Sequence, residues 1–265
     1  MIRNVVMAAT VSPWGVAATA ALVALTLVVS WRLDLGLHRV IFLSSTRSVV
    51  QLLATGLLLV PALRPDAHLA WAWVWSGTML VFATGVVRRR TTPLGANRPS
   101  IALSAIAVTC PVAAGLAVVF CFGVLPLKPW TLVPMAGIIL GNTLPATAAG
   151  AIRFVELVTE EQGQIEAMLA LGFKTKEAIR PQVARAVKTA LTPEIERMRM
   201  IGLVLLPGTM TGMLLAGADP INAVMTQMVV TFLVLGAITV TVATVVLGCS
   251  LSAVGDGRLS TRPSR

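Results

Sequence analysis

Apolar residues in this chain come in long unbroken runs, and charged residues are largely confined to the gaps between them. A run of about 20 apolar residues has no water-facing stripe, so it belongs to a helix surrounded by lipid, where each backbone polar group is paired within its own segment. About seven such runs follow one another, at roughly 14–31, 41–61, 69–87, 101–124, 131–152, 198–216 and 221–248. The expected fold is an all-α membrane protein, one polytopic domain over residues 1–265. Its single long polar interval, residues 152–200, joins the fifth and sixth spans as a cytosolic helical platform.

Composition agrees with that frame. The chain is 56% hydrophobic and 12% charged, with a mean hydropathy of +0.86, too apolar for a domain that must cover itself with polar side chains. Lys and Arg outnumber Asp and Glu by 21 to 11. In a soluble chain that excess would point to nucleic acid; in a membrane chain each charge is read by its side of the bilayer. Arg32 and Arg39 follow span 1, Arg88, Arg89, Arg90 and Arg98 follow span 3, and Arg258, Arg262 and Arg265 lie in the tail. The alternate loops carry only Arg64 with Asp66, Lys128, and Asp219. The positive-inside rule therefore puts the N-terminus outside and the C-terminus in the cytosol. Trp14 and Trp31 bracket span 1, a helical separation of roughly 26 Å, which is close to the hydrocarbon thickness. The first apolar run continues well past the small-residue stretch around Ala18–Ala20 and reads as a retained helix rather than a cleaved signal.

The polar interval has an acidic front and a basic rear. Arg153 to Glu166 holds four Glu against one Arg, and Lys174 to Arg199 holds seven Lys and Arg against three Glu. Ile165, Met168, Leu169 and Gly172 fall at helical spacing, with Gly172 suited to a left-handed cap. Thr175 is placed to cap the next piece and Pro181 to open a third. Thr192-Pro193-Glu194 reads as a fresh N-cap, with carboxylates at the positive end of a helix that runs straight into span 6. Short helices bracketed by two spans suit a docking platform, although a charge run alone is usually a solvated loop.

No GxxxxGKS/T, HExxH or GxSxG motif occurs, and His38 and His68 lie in different loops, so the chain is not expected to be an enzyme or to hydrolyse nucleotide. Cys110, Cys121 and Cys249 have no paired spacing. No metal-ligand set converges at a recognisable spacing, so any metal site is unknown at this level.

Span 5 reads GIILGNTLPATAAG and span 6 reads LLPGTMTGMLLAGADP. Gly137 with Gly141, and Gly208 with Gly212, are GxxxG packing faces. Pro145 and Pro207 each remove a backbone donor, and Asn142, Thr143, Thr147 and Thr211 add polar groups at the same depth. Such broken, polar mid-membrane helices are where transporters place a pathway; equally, Asn142 could bond a neighbouring helix. Arg47 and Gln51 share one face of span 2, either lining that pathway or anchoring at the interface. The methionines Met198, Met200, Met210, Met213, Met225 and Met228 read as adaptable packing before soft-metal ligands.

Glu166-Ala167 with Gly172 six residues after the Glu resembles the EAA coupling segment of ABC-importer permeases, although Pro181 comes earlier than that pattern's proline, near residue 185. RSVVQLLATG, GIILGNTLPATAAG, EAMLALGFKTKEAIRP and MIGLVLLPGTMTGMLLAGADP together resemble the FetB-like family of ABC transporter permeases, related to plant aluminium-sensitivity proteins. Ala136 and Leu144 stand where Met is expected in the iron-exporting relatives.

The resemblance implies a multi-pass subunit of the plasma (bacterial inner) membrane, working as a homodimer with a separate ABC ATPase that binds the ATP and Mg. This chain itself carries no cofactor and binds no nucleic acid. The cargo would be a metal ion such as iron, a small solute, or, as proposed for plant relatives, a nucleotide sugar. Glu166, Ala167, Ala170, Gly172 and Lys174 would form the coupling contact. Arg47, Gln51, Asn142, Pro145, Thr147, Pro207, Gly208, Thr211 and Gly212 would shape the pathway. The rivals are an ion-gradient-driven transporter or channel, which needs titratable groups within its spans, and a non-transporting membrane regulator.

Overall fold

A computed structural model describes residues 13–62, 68–90 and 101–253. Among these residues the chain is helical, with α1 (Pro13–Arg32), α2 (His38–Ala62), α3 (Leu69–Arg90), α4 (Ile101–Cys121), α5 (Pro129–Glu160), α6 (Gln162–Ala170), α7 (Thr175–Ala178), α8 (Arg180–Met200), α9 (Gly208–Leu215) and α10 (Pro220–Ala253). Five stretches are long and apolar enough to cross a membrane: His38–Leu59, Leu69–Arg89, Ile101–Cys121, Pro129–Glu160 and Pro220–Ser250. Ala17–Arg32 is a shorter apolar helix. Arg64, Asp66, Arg98, Arg258, Arg262 and Arg265, which carry part of the charge asymmetry, lie outside the described residues.

The organising element is α5, which packs against α3, α4, α8 and α10. Phe154, Leu132, Ile139 and Ile238 are fully enclosed there. Lipid tails are as apolar as Leu, so these helices are held by close van der Waals fit. The tightest approach is at Gly150, where an added Cβ would stand 2.9 Å from Val242 Cγ1 and 3.2 Å from Ala190 Cβ. Gly115 makes a second close approach, to Leu233 and Ile139. The anticipated GxxxG faces do not close in this way: nothing comes within 4 Å of a Cβ built on Gly141, Gly208 or Gly212, and Gly137 meets only the end of Met79. By contrast α1 and α2 pack chiefly on one another, and no described side chain of α2 is buried.

The 32 residues of α5 extend ~48 Å, well beyond the ~30 Å hydrocarbon layer. Its sequence is free of charge until Arg153, so the last two turns project from the apolar slab and carry α6 and α7. A Schellman pair ends α6: Phe173 N–H donates to Met168 O at 3.1 Å and Gly172 N–H to Leu169 O at 3.0 Å. Gly172 takes φ +87°, as anticipated for a left-handed cap.

Three expectations, for Thr175, Thr192 and the span 198–216, are corrected, and the one for Pro181 is met. Thr175 opens α7 rather than capping it; Lys174 is the N-cap, and its N–H donates to Glu177 Oε2 at 3.1 Å. Pro181 lies in the first turn of α8, where its missing N–H costs nothing. Thr192, however, caps no helix: α8 runs unbroken from Arg180 to Met200, and the Thr192 hydroxyl donates to Lys188 O at 2.8 Å. Long-range packing against α5 and α10 holds the helix together across Pro193, overriding a local start signal. Nor is 198–216 one helix. The chain leaves helical geometry at Ile201, turns at Gly202 with φ +87°, and resumes as the eight-residue α9.

Candidate functional site

The break between α8 and α9 is where the site is built. Residues 201–207 keep part of their backbone bonding local, Gly202 N–H to Leu205 O at 3.0 Å and Val204 and Leu205 N–H to Met200 O at 3.1 and 3.0 Å. Irregular backbone at membrane depth is tolerated where protein buries it or a cavity borders it. Here a cavity of about 340 Å3 borders it, lined by Ile138 and Asn142 of α5, Glu194 and Arg197 of α8, Leu206 and Pro207 of the break, Gly208 and Thr209 of α9, and Gln227 and Thr231 of α10.

Depth along α5 locates this cavity. Asn142 lies ~20 Å from the start of the helix at Pro129 and ~16 Å from its first charge, Arg153. It is thus near the middle of the apolar stretch. Because α8 returns alongside α5, its last turns reach the same level, and the rear of the anticipated platform stands within the apolar slab.

Arg197 Nη1 donates to Asn142 Oδ1 at 2.9 Å and lies 3.1 Å from Glu194 Oε2. Glu194 is only 7% exposed. Asn142 Nδ2 donates to Ile138 O at 2.7 Å, so the amide is oriented with its oxygen toward the guanidinium. Thr231 spends its single hydroxyl proton on Gln227 O at 2.8 Å and can therefore only accept from the Gln227 side chain, which donates Nε2 at 3.1 Å. That leaves Gln227 Oε1 buried without a hydrogen-bond partner.

A second ionic group ties the same two helices together at the projecting end. Glu161 receives Arg185 in a bidentate pair, with Nη1 to Oε1 at 2.7 Å and Nη2 to Oε2, and Gln182 Nε2 donates to it at 3.0 Å. The Arg185 guanidinium holds the Glu161 carboxyl below the ordinary carboxylate range, and the Gln182 amide acts in the same direction.

Beyond this clamp, α6 and its cap form an exposed tip. Glu166, Ala167, Ala170, Gly172 and Lys174 are all exposed, while Ile165 faces inward and is fully buried. Leu171 is 78% exposed and Phe173 48%, so the projecting end carries an apolar knob.

The profile of the uncharacterised protein family UPF0014 matches residues 13–253. The chain belongs to UPF0014. It is 31% identical over 227 residues to the UPF0014 membrane protein STAR2 of Oryza sativa subsp. japonica, covering 85% of this chain and 77% of that one. It is 30% identical over 215 residues to the probable iron export permease protein FetB of Escherichia coli (strain K12), covering 81% of each. The protein ALUMINUM SENSITIVE 3 of Arabidopsis thaliana is 27% identical over 227 residues, 84% of this chain and 81% of that one. No solved structure matches the chain. This UPF0014 protein is accordingly a membrane protein, and its relatives include the FetB and aluminium-sensitivity proteins that the motif resemblance implied.

Of the residues singled out from the sequence, Asn142, Pro207 and Gly208 line the cavity together. Thr211 sits in the first turn of α9, donating to Pro207 O at 3.1 Å, and Gly212 is exposed on the next turn. Thr147 is buried and donates to Thr143 O at 2.7 Å, while Pro145 is exposed; neither is among the lining residues. Arg47 and Gln51 are exposed on α2, apart from the cavity in the single chain. Sequence reasoning missed Glu194, Arg197 and Gln227, as well as the knob at Leu171 and Phe173. Glu194 and Arg197 carry a signal only in retrospect: three apart on a helix, they are opposite charges on one face shortly before an apolar run.

Proposed function

We propose that this UPF0014 protein is the membrane-spanning subunit of an exporter driven by a separate ABC ATPase, with a metal ion or other small polar solute as cargo. The observation that carries the reading is mechanical. One continuous helix, α8, joins the exposed tip to the broken segment that borders the mid-membrane cavity. A push on α6 reaches the cavity through rigid elements, because the Glu161–Arg185 clamp and the Gly150–Ala190 contact fasten α8 to α5 along the way. The apolar knob at Leu171 and Phe173 suits a cleft in a partner subunit on the water-exposed side. The relative named as a probable iron export permease supports metal cargo.

In this reading α1 and the α8–break–α9 unit complete seven crossings. The basic loops after α1 and α3 set those loops, and the tip, in the cytosol. Two copies form the working unit. Leu203, 90% exposed, sits on irregular backbone, and lipid is a poor neighbour for such a segment; a second copy would cover it and place the two cavities face to face.

One observation favours the rival class. Glu194 is a carboxylate within the apolar slab, which a gradient-driven carrier needs. The two separate in vesicles holding this protein together with a candidate stand-alone ABC ATPase. The ABC reading expects Fe2+ or Mn2+ flux that requires MgATP and is lost in Leu171→Glu and Phe173→Glu, with insertion and thermal stability intact. Flux that follows an imposed proton gradient without the ATPase, and is indifferent to both substitutions, would overturn it.

A further inference from the structure

Two sets of exposed polar side chains stand in the apolar slab with nothing in the single chain to cover them. The first is a stripe on α2. Ser44, Arg47, Ser48, Gln51 and Thr55 fall at helical spacing on one face, and all five are exposed. Arg47 and Gln51 have no hydrogen-bond or ion-pair partner among the described residues. The second set lies on the last turns of α8, on the face opposite the buried Gln182, Ala186, Ala190 and Glu194. Thr192, Glu196 and Arg199 run along it. Arg199 Nη1 donates to Glu196 Oε1 at 2.7 Å, yet the two side chains remain 70% and 53% exposed. Ionisable groups at membrane depth face protein or water rather than hydrocarbon.

The two sets match in depth and in sign. The close approach of Gly150 to Ala190 sets α8 against α5. Counted back along α5 from Arg153, Glu196 then lies ~14 Å and Arg199 ~18 Å into the slab. On α2, counted from His38, Arg47 lies ~14 Å and Gln51 ~20 Å in. With the start of α2 and the end of α5 both cytosolic, as proposed above, α2 and α8 enter the slab in the same direction. Laid side by side, they set the Arg47 guanidinium opposite the Glu196 carboxylate and the Gln51 amide oxygen opposite the Arg199 guanidinium. The small hydroxyl residues of the α2 stripe permit a close helix approach. Within one chain this pairing is not made, because α2 packs chiefly on α1.

We infer that α2 of one copy seats on the α8 face of a second copy, Arg47 pairing with Glu196 and Gln51 with Arg199. By twofold symmetry the contact is made twice. The inference deepens the two-copy reading above, on which it rests, by naming the surfaces that meet. Beyond Thr55 the α2 helix is apolar, so its following turns cover Leu203 and Val204, 90% and 81% exposed on the irregular backbone of the break. The helix that joins tip to cavity therefore moves against an arm of the other copy, and neither pathway is complete in a single chain.

The test is cross-linking in membranes, with Cys110, Cys121 and Cys249 replaced by Ala. Ser44→Cys and Thr192→Cys lie at matching levels, ~9 and ~8 Å into the slab, about one turn short of the ionic pairs. Two differently tagged copies, each carrying one of these cysteines, are co-expressed and treated with a short bis-maleimide. A cross-linked dimer bearing both tags is expected, and none when both copies carry Ser44→Cys. No dimer, which a water-filled vestibule over α8 predicts, overturns the proposal. So does a link formed only within one chain when a single copy carries both cysteines, or a dimer from Ser44→Cys alone. If the cysteine-free chain does not fold, charge reversal decides. Arg47→Glu should weaken the dimer at least about tenfold, read by light scattering over a dilution series in detergent, and adding Glu196→Lys should recover most of the loss; loss without recovery refutes the contact. ATP-driven flux without the cross-link would refute the contact alone; the cross-link without ATP-driven flux would refute the transport reading alone.

Discussion

Two groups of the same chemistry join α5 to α8, each made of an arginine, a glutamate and a side-chain amide. At the projecting end Arg185 grips Glu161 with both nitrogens and Gln182 adds a third bond. In the middle of the slab a single nitrogen of Arg197, Nη1, reaches both Glu194 and Asn142. The better-formed group sits where ionic bonds matter least, because water and salt screen it. The poorer one sits where an unanswered charge is most expensive. The two-nitrogen clamp nevertheless leaves Gln182 Oε1 buried without a partner, whereas Asn142 uses both ends of its amide.

The sharpest way to break this contrast is to remove each arginine. Arg197→Leu leaves the buried Glu194 carboxylate without its cation and should cost about 3 kcal/mol of stability, with most of the loss recovered in the double substitution with Glu194→Gln. Arg185→Leu should be difficult to distinguish from the parent. Thermal unfolding in one detergent compares them, and equal losses would mean that the two groups share one environment.

Between the groups lies Gly150, the fulcrum of the α5–α8–α10 contact. Gly150→Ala pushes a methyl to 2.9 Å from Val242 Cγ1 and 3.2 Å from Ala190 Cβ, an overpacking worth roughly 1–3 kcal/mol. Gly141→Ala, which meets nothing within 4 Å, should be neutral or slightly stabilising through helix propensity. A reversed order would show that the seam is not held at Gly150.

The smallest effect concerns pH. Because the Glu161 carboxyl is held below its ordinary range, its contribution is fully present above the unfolded value of about 4.3. It is lost as pH falls from there through the lowered folded value. The parent should therefore lose stability more steeply than Arg185→Gln as the pH falls below about 4.3. Parallel curves would remove Arg185 as the cause.

Legibility in the sequence divided along physical lines. Long apolar runs set five membrane-length helices and their order, because hydrophobic length is a local property. The left-handed cap at Gly172 and the Pro181 helix start were readable for the same reason. Misreadings arose where distant packing overruled local preference, as at Thr192 and Pro193, whose start signal vanished inside α8, and at the GxxxG pairs, whose small size is not used for close approach. Asn142, Pro207 and Gly208 were recognisable as odd residues for lipid, but that they share one cavity was not.

By itself, then, the sequence determined that this UPF0014 protein lives in a membrane and that a capped, exposed turn ends at Gly172. Only the tertiary structure decided that residues 192–200 stand beside the middle of α5, which buries Glu194 and brings the half-exposed Arg197 onto Asn142. The reason is that a charge's meaning depends on the dielectric around it, and that is set by neighbours 52 and 55 residues away in the chain, at Asn142.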